Sequence, residues 1–167
     1  MNNQNHLDIH SVQSTDIDSL VALYRACFAE PPWFEEYDAT TLRDKFAAHA
    51  HSADSHFLAA HHNGVVVGGC LGYHVREQQD VYALINPEWR DAFYLSEVFV
   101  SRGARLSGIA NQLMDAIFAT ALDHHFTTAV VRTSIDQPII QHLCVDKRGM
   151  QIVAEQSGRR IIMAGKL

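Results

Sequence analysis

Polar residues alternate with Leu7, Ile9 and Val12 over residues 7–13, which predicts a strand with one buried face. The period then lengthens. Ile17, Leu20, Val21, Tyr24 and Phe28 share one helical face behind Ser14-Thr15, a pair that offers an N-cap. Pro31-Pro32 ends that helix, because proline lacks an amide donor and pushes the residue before it out of helical geometry. Residues 31–36, Pro-Pro-Trp-Phe-Glu-Glu, are therefore a loop with two aromatics. Leu42, Phe46 and Ala50 predict a second helix over residues 40–51. Residues 56–62 and 65–75 flank Asn63-Gly64, the pair that a tight hairpin turn with positive φ prefers.

Residues 76–90 are polar with one proline and read as a connection. Residues 92–100 predict a central strand with Phe93, Leu95, Glu97 and Phe99 on one face, where Glu97 is the odd member. Two apolar rows, Ile109-Leu113-Ile117-Ala121 and Ala110-Met114-Phe118-Leu122, mark a long helix over residues 107–125. A buried strand over 127–134 follows. A last helix opens at Gln137-Pro138, turns Ile139, Ile140, Leu143 and Cys144 inward, and closes at Lys147-Arg148-Gly149. Strands over 151–156 and 159–164 finish the chain. The order is mixed α/β, without repeats or linkers, and residues 1–167 read as a single domain.

Composition narrows the function classes. The 167 residues carry a formal net charge of −6 and 47% hydrophobic side chains, enough for one buried core without a disulfide or metal staple. The eleven histidines would largely cancel that charge near pH 6, so its sign decides little. No basic run suits nucleic acid. Apolar stretches such as 64–73 fall short of the roughly 18 residues of a membrane span, and residues 1–6 show no signal pattern. A cytoplasmic protein is expected. Cys27, Cys70 and Cys144 are an odd set without C-x-x-C spacing, which reads as buried thiols in a reducing compartment. The pairs His61-His62 and His124-His125, with His49 and His51, lack the i, i+4 spacing of a helical two-ligand site, and His10, four after His6, falls on a strand. Solvated turns and helix ends are the expected reading, and no metal.

The most informative segment runs from Glu97 to Leu113: a buried strand, a small polar loop, then the long helix. Amides at a helix start point outward with the positive end of the dipole, and Ser107, Gly108 and Ala110 would let an anion approach the backbone. The plain structural reading is that Ser107 caps the helix. No G-x-x-x-x-G-K-[ST] and no G-x-G-x-x-G after a strand is present.

Arg105-Leu106-Ser107-Gly108-Ile109-Ala110 resembles R/Q-x-x-G-x-G/A, the pyrophosphate-binding signature of the GNAT superfamily of acyl-CoA-dependent N-acyltransferases, and Glu97-Val98-Phe99-Val100 stands where the family's preceding strand lies. The element order is similar across almost the whole chain. The resemblance implies a GNAT-like fold: a mostly antiparallel central sheet, splayed between strands 4 and 5 around Val98 and Val131, flanked by about four helices. It implies acetyl-CoA as co-substrate. Val98, Phe99 and Val100 would give main-chain contacts to its pantetheine arm, and the amides of Arg105, Leu106, Ser107, Gly108, Ile109 and Ala110 would hold its pyrophosphate. A Val98 or Phe99 amide would polarise the thioester carbonyl.

Direct attack by a primary amine then needs a base. Glu97 is the candidate, since a carboxylate on an apolar face is desolvated and its pKa raised; many family members carry a glutamate there. The alternative is that Glu97 caps a backbone group or pairs with Arg132. The last helix departs from the family pattern: Pro138 and Val145 replace its usual asparagine and tyrosine acid. Cys144, His142, water and, more remotely, Tyr73 or Tyr94 are the substitutes, although Cys144 reads as core and His142 as solvated. Trp33, Phe34 and Glu35, beside Glu36, are the acceptor-site candidates, the competing reading being an aromatic plug over the core; Tyr82 and Trp89 share that ambiguity. The expected activity is N-acetyl transfer to a small-molecule amine, in a homodimer if the family habit holds. The alternatives are acetylation of a protein N-terminus or lysine, and a non-catalytic acyl-CoA-binding module.

Overall fold

The computed structural model describes residues 7–167. The readings that rest on residues 1–6, the missing signal pattern and the His6–His10 spacing, lie outside the described residues. The alternation at the start forms β1 (Leu7–Ser11), after which a 3-10 turn (Ser14–Asp16) leads into α1 (Ile17–Phe28). Ser14 and Thr15 lie inside this turn rather than capping the helix. Instead Asp16 folds back, and its Oδ2 accepts from the Gln13 amide at 2.8 Å. Helix α2 (Ala39–His51) is capped by Asp38, which accepts from the Thr41 amide at 2.8 Å. The hairpin of β2 (Ser55–His62) and β3 (Val65–His74) turns at Asn63 and Gly64 with φ of 52° and 80°, the left-handed pair that a two-residue turn requires.

Residues 76–90, read as a polar connection, are partly ordered into α3 (Gln79–Tyr82) and a 3-10 turn (Pro87–Trp89), with Val81 and Ile85 buried. Four helical residues are too few to show a period. Then come β4 (Phe93–Val100), α4 (Ile109–Asp123) and β5 (Thr128–Ser134). The last helix is α-helical only over α5 (Pro138–Gln141) and continues as a π-helical turn (His142–Asp146). Its close follows the expectation: Gly149 adopts φ 66°, its amide donates to the Val145 carbonyl at 2.9 Å, and the Arg148 guanidinium donates to the Leu143 carbonyl at 2.7 Å. Strands β6 (Gln151–Gln156) and β7 (Arg160–Lys166) end the chain.

The strands hydrogen-bond in the order β1-β2-β3-β4-β5-β7-β6. Pairings β1–β2, β5–β7 and β6–β7 are antiparallel, whereas β4 and β5 run parallel, with Phe93, Tyr94 and Leu95 opposite Ala129, Val130 and Val131. Mixed α/β architecture of the expected GNAT-like kind is thus present, with the short α3 additional to the helices foreseen. Among the described residues no helix is long and apolar enough to cross a membrane.

Two compact units divide the chain. The second comprises Gly72–Ser96 and Phe118–Leu167; its core holds Phe93, Ile162 and Met163, and its Arg132 is bound to Asp80 and Gln156. The first takes the residues up to Leu71 and Glu97–Ile117. Its core is an aromatic cluster centred on Tyr24, whose ring lies 4.3 Å from Phe28, 5.2 Å from Tyr37, 5.4 Å from Phe46 and 5.2 Å from Phe99. Gly69 on β3 leaves room for Phe99: a Cβ there would stand 2.7 Å from its ring. Because Tyr24 and Phe46 confine that ring, Gly69→Ala is expected to destabilise the protein by about 1–3 kcal/mol. Urea unfolding should show a lower midpoint at unchanged slope.

Candidate active site

Glu97 begins the half of β4 that belongs to the first unit, and only 14% of its side chain is accessible. Two side chains meet its carboxylate. The Tyr24 hydroxyl of α1 donates to Oε2 at 3.2 Å, and Lys45 Nζ of α2 stands 3.3 Å from Oε1. Desolvation is the larger influence and raises the Glu97 pKa, against the attraction of Lys45 and the hydrogen bond from Tyr24; the negative charge of Glu35 adds to the rise. Burial, the Glu97 charge and Tyr37 push the Tyr24 hydroxyl far up, so it remains a donor at any working pH. Tyr37 donates in turn to Glu35, and burial with that hydrogen bond brings its hydroxyl to about 12. The result is a chain of polar groups, Glu35, Tyr37, Tyr24, Glu97 and Lys45, threaded through an aromatic cluster.

Sequence reasoning assigned Tyr24 to the core and passed over Lys45 and Tyr37. A signal for Lys45 existed: it stands three residues after Leu42 and beside Phe46, a charge bordering an apolar row, as Glu97 does on β4. Arg132, once considered as a partner for Glu97, instead binds Asp80 and Gln156.

Downstream of Glu97, the Ser101 amide donates to the Val67 carbonyl of β3 at 2.8 Å. The Phe99 carbonyl lies on the same side, 3.0 Å from where a Cβ on Gly68 would stand. The Val100 carbonyl accepts from Cys27 Sγ at 3.3 Å and Arg105 Nε at 3.2 Å.

Arg105 also pairs with Glu30 at 2.6 Å, so its guanidinium braces the loop from within. Leu106 and Gly108 take left-handed φ of 64° and 83°, and the Gly108 carbonyl accepts the first helical bond of α4, from the Gln112 amide at 3.0 Å. Gly108 therefore fills the capping position expected of Ser107, whose hydroxyl returns to the Ala104 carbonyl. Ile109 and Ala110, in the first turn, have no acceptor within their own helix. Leu106, Ser107 and Gly108 are exposed, and a Cβ on Gly108 would meet nothing within 4 Å. The start of α4 is therefore open to solvent along the loop.

In the loop after α1, Trp33 packs on Phe28 with ring centres 5.7 Å apart, Phe34 is 71% exposed, and Glu35 is half-buried. Cys144 is fully buried, and burial pushes its thiol up to about 11; His142 is exposed and paired with Asp146 at 2.7 Å. Tyr73 donates to Gln78 at 3.0 Å and to Ser96 at 3.2 Å, and Tyr94 is buried.

His61 departs from the solvated reading: its Nε2 lies 3.0 Å from Asp16 Oδ1, its ring stacks on His10 at 4.5 Å and 16°, and its Nδ1 is buried without a hydrogen-bond partner. One ligand atom from each of His10, Asp16 and His61 lies within 4.8 Å of the other two, a group of the kind that can hold a metal ion.

The model of the acetyltransferase (GNAT) family matches residues 17–150. The chain belongs to that family. Membership makes it an acyltransferase. Among solved structures, PaiA N-acetyltransferase from Thermoplasma acidophilum, in complex with coenzyme A, superposes with TM-score 0.72 at 12% identity, covering 97% of this chain and 99% of its own. Ribosomal-protein-alanine N-acetyltransferase from Brucella melitensis gives 0.74 at 17% identity, covering 96% and 99%. An aminoglycoside N-acetyltransferase in complex with CoA gives 0.73 at 16%, covering 93% and 95%. Comparison with curated protein sequences gave no match.

For this GNAT acetyltransferase the raised Glu97 pKa has a consequence for stability. A carboxyl that binds its proton more tightly when folded contributes stability below its unfolded pKa, and that contribution is lost as pH rises through the folded value. Glu97→Gln removes the titration. Its stability relative to the parent is therefore expected to increase with pH above the ordinary glutamate range, as read by urea unfolding at a series of pH values. Parallel pH profiles for the two proteins would contradict the assignment.

Proposed function

We propose that this acetyltransferase moves the acetyl group of acetyl-CoA to a primary amine of a small molecule, with Glu97 as general base. The observation that carries this reading is a desolvated carboxylate on the strand that runs into an open, amide-lined helix start. The diphosphate sits in the cup of Arg105 to Ala110, held by main-chain amides, while Arg105 positions the loop through Glu30 and the Val100 carbonyl. The pantetheine arm follows β4, and a Val98 or Phe99 amide polarises the thioester carbonyl. Glu97 takes the proton of the attacking ammonium. A carboxyl above the ordinary range is the better acceptor for that proton, and the Tyr24 hydroxyl holds one of its oxygens in place.

A cationic acceptor suits the surroundings. Glu35 places a second carboxylate near Glu97, and Tyr24, Tyr37 and Phe28 supply aromatic walls. The departing thiolate is a stable leaving group and takes its proton from solvent, as fits a fully buried Cys144 and a surface His142. The free cysteines accord with the cytoplasm.

Calorimetric titration is expected to show acetyl-CoA binding, and thiol release over a panel of diamines, amino sugars and peptides with free N-termini should favour the small amines. Glu97→Gln is expected to lower kcat by about 10²–10⁴-fold while acetyl-CoA affinity is retained. Turnover confined to the peptides would replace the small-molecule acceptor by a protein one, and an unchanged kcat in the variant would remove Glu97 from the base role.

A further inference from the structure

We propose that Lys45 is a self-acetylation site, its ε-amine accepting an acetyl group from acetyl-CoA bound to the same chain. The inference rests on the acetyl-CoA reading above and extends it to one residue. Any acceptor must bring its nitrogen within hydrogen-bond reach of the base. Lys45 already does so, with Nζ 3.3 Å from Glu97 Oε1 and a side chain 41% accessible. It also belongs to the same compact unit as Val98 and the cup over residues 105–110. Acceptor and Lys45 compete for one position beside Glu97, and with no acceptor there the amine already in reach of the base belongs to the chain itself, the situation in which effective concentration is greatest.

The step balances without a further reactant. One ammonium proton of Lys45 passes to Glu97, the nitrogen bonds to the thioester carbonyl carbon, and the carbon–sulfur bond breaks. The coenzyme sulfur leaves with the second nitrogen proton, and the proton on Glu97 returns to solvent, leaving acetyl-lysine and free coenzyme thiol. The product is neutral. Glu97 then keeps the Tyr24 hydrogen bond but loses its cation.

The chain contains only two other lysines, Lys147 and Lys166, both exposed and both in the second unit, and they serve as internal standards for uncatalysed acetylation. The full-length protein is incubated with acetyl-CoA and no acceptor, and each lysine is followed over time by peptide mass spectrometry. Lys45 is expected to acquire acetyl at least about tenfold faster than the other two, at a rate independent of protein concentration. Glu97→Gln should remove that advantage, and Lys45→Arg should reduce total labelling to the level of the other two lysines. If calorimetry shows acetyl-CoA bound but Lys45 is labelled no faster than Lys147 and Lys166, self-acetylation is wrong and the acetyl-CoA reading stands. A Lys45 rate proportional to protein concentration overturns transfer within one chain. Absence of acetyl-CoA binding overturns both proposals together. The comparison of lysines within the parent protein decides the matter even if either variant fails to fold.

Discussion

A carboxylate removed from water among aromatic rings must be held by hydrogen bonds and charge, because an ion left unpartnered there costs several kcal/mol. That constraint organises the first unit. Strand β4 supplies Glu97, α1 brings the Tyr24 hydroxyl, and α2 brings the Lys45 ammonium. The same rings that keep Tyr24 in place, those of Phe28, Tyr37, Phe46 and Phe99, exclude the water that would return the carboxyl to its ordinary acidity. Packing and chemistry therefore share one set of side chains. The core of this unit is also the wall of its candidate site.

The family model settles the reaction class, and the loop before α4 suggests how the donor is held. Arg105 illustrates the difference between a sequence motif and its geometry. Within the motif it counts for its main-chain amide; in the fold its charge meets Glu30 and its Nε meets the Val100 carbonyl. Its contribution is to the path of the backbone.

Much of the architecture was legible because long elements repeat their signals. The rows of α4 and the Asn63-Gly64 turn needed no tertiary information, and the odd carboxylate on β4 stood out against its apolar neighbours. Short or irregular pieces escaped for the opposite reason. Helix α3 is shorter than the two turns in which a helical period becomes visible, and the π-helical turn after α5 keeps the apolar positions of an ordinary helix. The partners of Glu97 were hidden by distance along the chain: Tyr24 reads as one more apolar position, and Lys45 borders an amphipathic face without declaring what it meets. His61 was misread likewise, since Asp16 reaches it only after a 3-10 turn has brought that residue round to the end of β2.

Leu106 and Gly108 give the loop before α4 an unusual kind of fragility. Side-chain changes around a ring of main-chain N–H groups leave the donors where they are, so chemistry at those positions can drift with little penalty. What cannot drift is torsion. Two residues in left-handed conformation aim the amides of the following turn, and a β-branched side chain at either would redirect them without removing a single donor. The vulnerable quantity in this part of the molecule is an angle, not a functional group.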